Sequence, residues 1–559
     1  MTILGLNCAY HESGACLIKG DRFYVTEEER FNRIKHAKET RIDNPHELPW
    51  SAIDFCLDQG SEKLTDVQNV ICSINPAARF RNHLFDDQVQ PGSWGSEEGE
   101  RAFRKRLYLI PGMLREQGFG GVFRWMSHER CHAASAYYPS GFEEAAVLSL
   151  DGIGETDCIA LYHGEGHQLT RLKDYHYPDS LGFLWEKLSR FLGFTEYDPS
   201  KVMGMGAYGK ADRYRSEFKK IVSRHPFQIN NRIACFRLDS FKGLEDLFGI
   251  PQRRKNEPVT GEHFDIAAAL QETTGQVVLD LLADLSKLTD SKNLCLAGGV
   301  ALNCVLNRQV FEEGPFDRLW VQPAANDAGT ALGAALCFYH KFQGNNSRIE
   351  MRDAYTGPAY DDETIEKHLV RQGIPYEKVD DLYERVSELI CTGKIVGWFQ
   401  GPMEFGPRAL GNRSLLADPR NIEIKQRLNR IVKAREDFRP FAPSVLAEYA
   451  DTWFEIGKPT PANQYMLVCY PAKADKRDMI PAVVHVDGTC RVQLVAPESN
   501  ERFYRLIHSF YRKTGVPMLL NTSFNHQEPI VCSPEDALNT FHEREIDALV
   551  MGNQLITRS

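Results

Sequence analysis

Two histidines four residues apart, His128 and His132 in SHERCHAASAYY, are the first residues of this sequence whose types and spacing could do chemistry. An i,i+4 spacing puts both imidazoles on one face of a helix, where they can share one cation. Ser127 precedes them as the expected N-cap. The pair alone is a weak signal, because a chain with 17 histidines produces such spacings by chance. Next, the apolar run VLSL delivers Asp151 to the mouth of a glycine-bearing turn that continues through Gly152. A hard carboxylate oxygen at that place suits a cation that bridges to nucleotide phosphates. Asp327, at a loop-to-helix junction in NDAGTALG, offers a second carboxylate or a plain N-cap.

Other residues could meet a nucleotide. In AGGVALN, Gly298 and Gly299 follow a strand, and the missing side chains would let backbone approach an adenine or ribose; Asn303 closes the same block. Lys201 precedes glycines 204, 206 and 209 and could reach a phosphate, although a solvated lysine is the commoner case. His11 and Ser13 occupy the first loop of the chain and are expected to touch phosphate or acceptor.

The second half holds a different constellation. Residues 391–440 contain ten Lys or Arg against five Asp or Glu, in a chain of net charge −10. Arginines interleaved with Gly and Pro in GPRALGNRSLLADPR, and packed in IVKAREDFRPFAPSV, read as a pocket for multiply charged oxyanions rather than a solvated face. The members are Arg408, Arg413, Lys433, Arg435 and Arg439, with Arg491 and the polar cluster NTSFN (521–525) closing the site; Arg420, Arg427 and Arg430 read as exposed.

The elements that must position these groups follow an α/β pattern, with Val/Ile/Leu runs alternating with long helical stretches. ILGLNCAYHESGACLIKG and VLSLDGIGETDCIALYHG (147–164) both read as strand, glycine-bearing loop, strand. Such a repeat is what a two-lobed nucleotide-binding fold needs, and equally describes two ordinary hairpins. A helix is expected over 265–288 with strands at 294–299 and 318–327; periodicity is then lost over 341–358, which marks a linker. A fresh α/β pattern follows, ending with a helix at 533–541 capped by Ser533. The chain of 559 residues is too long for one core. Its acidic balance and pI of about 6.0 disfavour a nucleic-acid partner. No signal peptide or membrane span is read, and the 14 cysteines show no CxxC pair, so reduced thiols and the cytoplasm are expected.

Together these blocks, with TEEERFNRIKH (26–36), KVMGMGAYG and LLNTSFN, resemble the O-carbamoyltransferase family of the nodulation-factor, cephem and tobramycin carbamoyltransferase type, over nearly the whole chain. The resemblance implies a two-lobed ASKHA-type domain over 1–345 with its lobes split near 155, a linker at 346–360, and a YrdC-like α/β domain over 361–559. It implies a metal, iron or a similar divalent ion, on His128, His132, Asp151 and Asp327. It also places carbamoyl phosphate and ATP on Arg408, Lys433, Arg439, Arg491, Asn521 and Ser523. Asn412 occupies a variable spot inside the arginine block.

By analogy with that family, the second domain releases carbamate from carbamoyl phosphate and joins it to the α-phosphate of ATP with Mg²⁺, giving carbamoyl adenylate and pyrophosphate. The adenylate reaches the first domain by an enclosed route. There a hydroxyl of a small natural product, as in antibiotic biosynthesis, takes the carbamoyl group, and His11 is the candidate for receiving its proton. On ligand type the His/Asp set suits Fe²⁺, Mn²⁺ or Zn²⁺. Neither the acceptor nor the oligomeric state, a homodimer included, is fixed. Two other readings stay open: a tRNA threonylcarbamoyladenosine enzyme, and a nucleotide-controlled binding module, which leaves the second-half arginines idle.

Overall fold

A computed structural model describes residues 2–82, 85–86, 88–342, 348–433, 435–458 and 460–558. It divides into two compact units, Met1–Glu29 with His36–Met351, and Arg30–Lys35 with Arg352–Ser559. The linker expected at 346–360 begins on residues 346 and 347, which lie outside the described residues.

The first unit is an α/β fold built on two five-stranded sheets of the same design, with a small two-stranded sheet of Val222–Arg224 and Phe227–Ile229 besides. Sheet one has β1 (Thr2–Asn7), β2 (Gly14–Lys19), β3 (Arg22–Glu27), β4 (Asn69–Cys72) and β5 (Val122–Trp125), in the order β3-β2-β1-β4-β5. Helix α1 (His128–Tyr137) follows. Sheet two has β6 (Glu144–Leu150), β7 (Asp157–Glu165), β8 (Gln168–His176), β9 (Asn293–Ala297) and β10 (Arg318–Val321), in the order β10-β9-β6-β7-β8. In each sheet three antiparallel strands form a meander, and two parallel strands continue beyond the first of them. The two strand–loop–strand segments picked out in the sequence are β1–β2 and β6–β7, the equivalent hairpins of the two sheets. Both bury their strands almost completely, as a doubly covered sheet requires.

Helix α2 (Leu181–Phe191) follows β8, α3 (Gly261–Leu288) precedes β9, and α4 (Cys304–Glu313) joins β9 to β10. Helix α5 (Ala328–Cys337), AGTALGAALC, is buried along its whole length. Only small residues allow this. A Cβ on Gly5 of β1 would fall 2.0 Å from the Ala331 carbonyl oxygen, and one on Gly333 would fall 1.8 Å from that of Cys131 in α1. Helix α1, with His128 at its start and His132 one turn on, and α5, which begins after Asp327, are thereby packed backbone to backbone.

The second unit is an α/β fold with one eight-stranded mixed sheet. Its strands are β11 (Glu377–Lys378), β12 (Val396–Phe399), β13 (Arg413–Ala417), β14 (Ala442–Leu446), β15 (Gln493–Val495), β16 (Met518–Ser523), β17 (Ala548–Met551) and β18 (Gln554–Thr557). Their order is β11-β18-β17-β12-β13-β16-β14-β15. Central pairing puts Ser414 opposite Ser523 and Ala442 opposite Asn521, so the arginine block and the NTSFN cluster share neighbouring strands. The helix expected at 533–541 runs Pro534–Glu543, with Ser533 and Asp536 in a reciprocal capping box. The short segment Arg30–Lys35 is held by Arg30 donating to Gly406 O (2.7 Å) and Arg33 to Ile530 O and Pro529 O (both 2.7 Å).

No two cysteines are bridged, and all but Cys235 and Cys391 are buried. Among the described residues no helix is long and apolar enough to cross a membrane.

Candidate active site

His128, His132, Asp151 and Asp327 converge. The two imidazole Nε2 atoms stand 3.2 Å apart. Asp151 Oδ2 lies 3.6 and 3.7 Å from them, and Asp327 Oδ1 lies 3.5 Å from each. All four side chains are buried. His128 and Asp151 are held from behind. His128 Nδ1 donates to Ser73 O (3.0 Å), which leaves its Nε2 as the lone-pair nitrogen whenever the ring is neutral. The Gly299 amide donates to Asp151 Oδ1 (3.1 Å), turning Oδ2 toward the rings. The backbone of Gly182, which a Cβ would bring 2.6 Å from Gly152, seats α2 against the Asp151–Gly152 turn. Ser127 does not cap α1 with its side chain. It donates instead to Glu155 Oε2 (3.1 Å), and the same carboxylate accepts from the amides of His128 (3.1 Å) and Asn75 (2.7 Å). The positive end of α1 thus rests on a carboxylate from the turn after β6.

The donor set fits a divalent cation. Ligand atoms 3.2–3.7 Å apart are the edges of a coordination shell with bonds of about 2.1 Å. The electrostatics agree. Burial works against charged rings, but Asp327 and Asp151 outweigh it, holding His128 well above its ordinary range and His132 up to about 9. Burial likewise opposes ionised carboxylates, yet the two rings keep Asp151 well below its usual range and Asp327 lowered. Two charged rings with two carboxylates are neutral. One divalent cation in place of the two ring protons is neutral as well.

The remaining first-half candidates scatter around this cluster. Ser13 is buried, and its Oγ has no partner among the described residues, as is true of Asn326 Oδ1 beside Asp327. His11 lies 3.1 Å from Glu12 through Nδ1, and Asp327 and Glu186 both act on it electrostatically. Gly298 (φ +87°) turns the chain where a Cβ would meet the Leu150 backbone at 2.2 Å. Asn303 caps α4, accepting from Val305 N and Leu306 N, and donates to Gln271 (2.8 Å). Lys201 is paired with Asp198 (3.1 Å) and lies over the Phe194 ring. Glu186 was not foreseen. Its carboxylate stands against Gly152, and burial with Asp151, Glu196 and Asp327 pushes it up to about 8, against His11.

In the second unit Lys433 is buried and gives its ammonium to Ser523 O (2.5 Å), Ser523 Oγ (3.1 Å), Asn525 O (2.8 Å) and Asn525 Oδ1 (2.7 Å). Burial, then Arg435 and Arg439, lower its pKa well below the usual lysine range. Burial, then Arg439 and Arg491, do the same to Arg435. Lys433 is thus repelled by Arg435 and Arg439, and Arg435 by Arg439 and Arg491, a field that an oxyanion relieves. Asn521 donates to Ala409 O (3.2 Å), next to Arg408, and to Ser444 Oγ (3.0 Å), while its Oδ1 is buried without a partner among the described residues. Arg413 belongs elsewhere. Its guanidinium donates to the carbonyls of Gln400, Gly401, Asn412 and Pro358 and lies 3.7 Å over the Phe399 ring, with burial pushing it down to about 10. Arg420 and Arg427 pair with Asp418 and Asp547, and Arg430 is exposed.

An α/β chain whose equivalent lobes bury a two-histidine, two-aspartate cluster at their strand ends has the makings of an enzyme centre. Residues 99–336 match the family model described as carbamoyltransferase N-terminus, and residues 387–558 match carbamoyltransferase C-terminus. The chain belongs to the carbamoyltransferase family and is a carbamoyltransferase. It is similar to nodulation protein NolNO of Sinorhizobium fredii, 38% identical over 99% of this chain and 80% of that one. It is also similar to nodulation protein NolO of Bradyrhizobium diazoefficiens, 39% identical over 78% and 79%. An uncharacterized protein of Synechocystis is 37% identical over 100% and 97%. Among solved structures, component A of the Acidaminococcus fermentans (R)-2-hydroxyglutaryl-CoA dehydratase aligns with 62% of this chain and all of its own, at 16% identity and a TM-score of 0.34.

Proposed function

We propose that the protein is an ATP-dependent O-carbamoyltransferase of the cytosol that makes carbamoyl adenylate and passes its carbamoyl group to a hydroxyl of a small natural product. The division of labour is residues 361–559 for activation and 1–345 for transfer. The observation that carries the first step is the row of cations around Arg435, in which Lys433 is repelled by Arg435 and Arg439, and Arg435 by Arg439 and Arg491; this repulsion favours multiply charged oxyanions. Carbamoyl phosphate gives carbamate and phosphate by water. The carbamate oxygen then attacks the α-phosphate of ATP, and pyrophosphate leaves with Mg²⁺. Arg408, Asn521 and Ser523 complete the expected contacts to these substrates.

For transfer, His128, His132, Asp151 and Asp327 are the residues that would hold a divalent metal, with Fe²⁺ preferred by family resemblance and Mn²⁺ or Zn²⁺ equally suited by ligand type. Such an ion would supply Lewis-acid charge for the transfer step. Ser13, Gly152, Lys201, Gly298, Gly299 and Asn303 are proposed to line the nucleotide, and His11 to take the hydroxyl proton. The test is pyrophosphate release by the purified protein. It should require carbamoyl phosphate, ATP and Mg²⁺ together; ATP consumption indifferent to carbamoyl phosphate refutes the mechanism.

A further inference from the structure

Glu12 lies in the β1–β2 loop with φ +53°, a left-handed conformation that a glutamate seldom adopts. The loop is held there. Asn7 Nδ2 donates to the carbonyls of His11 (3.2 Å) and Glu12 (3.1 Å), and the Glu12 amide donates to His36 O (2.7 Å). His36, itself at φ +64°, donates its amide to Glu29 Oε2 (2.8 Å). Such backbone strain survives only where the surroundings over-determine it, and it gathers at functional sites.

The result is a carboxylate between two imidazoles. Glu12 Oε2 lies 3.1 Å from His11 Nδ1, and Glu12 Oε1 lies 3.2 Å from His36 Nδ1. An ionised carboxylate only accepts, so the His36–Glu12 hydrogen bond requires a hydrogen on His36 Nδ1. The His11 contact falls outside hydrogen-bond geometry, yet a lone pair on His11 Nδ1 at 3.1 Å from a carboxylate oxygen would be repelled, so the carboxylate favours a hydrogen there too. Nε2 of His11 is then the nitrogen left for chemistry. Its ring is 30% exposed although its Nδ1 is buried. His36 stacks on Tyr197 with centroids 4.6 Å apart, and Tyr197 meets His11 edge-on at 5.7 Å. Glu12, His36 and Tyr197 thus enclose His11, and His36 keeps the Glu12 carboxylate from swinging away.

We propose that Glu12 is the positioning residue of the transfer step, fixing His11 in the Nδ1–H tautomer so that Nε2 receives the proton of the acceptor hydroxyl. This rests on the reading of His11 given above and deepens it. The hydroxyl oxygen bonds to the carbamoyl carbon while its proton passes to His11 Nε2. The bond from that carbon to the AMP phosphate oxygen breaks, and AMP leaves with the electron pair. Glu12 then faces the imidazolium so formed. The charged or titratable groups that act on His11 are Glu12, Asp327, Tyr197 and Glu186, with His36 across the shared carboxylate.

The test uses full-length protein, reading acceptor carbamoylation and pyrophosphate release separately. His11→Gln should lose carbamoylation; if it transfers at the wild-type rate, the reading of His11 as proton acceptor fails. Glu12→Gln should lower transfer about 100-fold or more. It should also move the acid limb of the pH–rate profile to lower pH, because removing an anion beside a base lowers that base's pKa. If His11→Gln loses transfer while Glu12→Gln keeps rate and limb, His11 stands and the role of Glu12 is overturned. A drop in Glu12→Gln without a shifted limb also overturns it, as a purely structural effect. Independently of any variant, ¹⁵N-histidine spectra of the wild-type protein should show neutral His11 protonated at Nδ1, and an Nε2–H tautomer refutes the proposal.

Discussion

Gly333 stands directly on the main chain of Cys131, so close that a methyl group added to it would lie 1.8 Å from the Cys131 carbonyl oxygen. Cys131 is next to His132, and Gly333 is on the helix that Asp327 begins. The spacing between the halves of the His/Asp cluster is therefore set by a backbone contact that no rotamer change can relax.

Gly333→Ala should force those helices apart. Overpacking of this kind costs about 1–3 kcal/mol or more. A lowered melting temperature, with less divalent metal bound per chain after reconstitution, is the expected pair of results; a variant with wild-type stability and metal content contradicts it.

His132→Ala removes one ring from the cluster. Metal content and acceptor carbamoylation should both fall, while pyrophosphate release dependent on carbamoyl phosphate persists. Chelator treatment of the wild-type protein should mimic this, and Fe²⁺, Mn²⁺ or Zn²⁺ should be tried for restoration. Equal loss of both half-reactions would refute the separation of activation from transfer.

Arg491→Ala removes one of the cations that crowd Arg435. By comparison with the loss of a single oxyanion donor, adenylate formation should drop about 100-fold or more. Pyrophosphate release at saturating ATP measures it, and unchanged release would exclude Arg491 from the pocket.

Glu186→Gln should reveal a pH-dependent gain in stability. The folded protein holds this carboxyl up to about 8, far above its value in an unfolded chain, so folding is penalised increasingly as pH rises above about 4.5 and the penalty levels off near 8. The amide has no such cost. Its melting temperature should match wild type near pH 4.5 and exceed it by a margin that grows up to pH 8. A constant margin across that range contradicts the assignment.

What the sequence made legible was local. The helical spacing of His128 and His132, the strand that ends at Asp151 and the helix that starts after Asp327 are each short-range patterns, and the fold brings them together. The partners that hold them are not local. Glu155 reaches Asn75 and Ser127, and Glu12 reaches His36, across connections that only tertiary structure closes. Arg413 shows the opposite failure. Its neighbours in sequence suggest an anion site, yet β12 and the turn before β13 wrap carbonyls around its guanidinium, which composition cannot reveal. Asn303 and Lys201 carry the ordinary contacts of a helix cap and an i,i+3 ion pair.

The equal strand order of the two sheets in the first unit carries a last consequence. Their matching hairpin turns have parted company: one bears imidazole and carboxylate at His11 and Glu12, the other two carboxylates, Asp151 and Glu155. A scaffold built twice has thus become complementary rather than redundant: each turn brings groups the other lacks, so neither half can stand in for its counterpart.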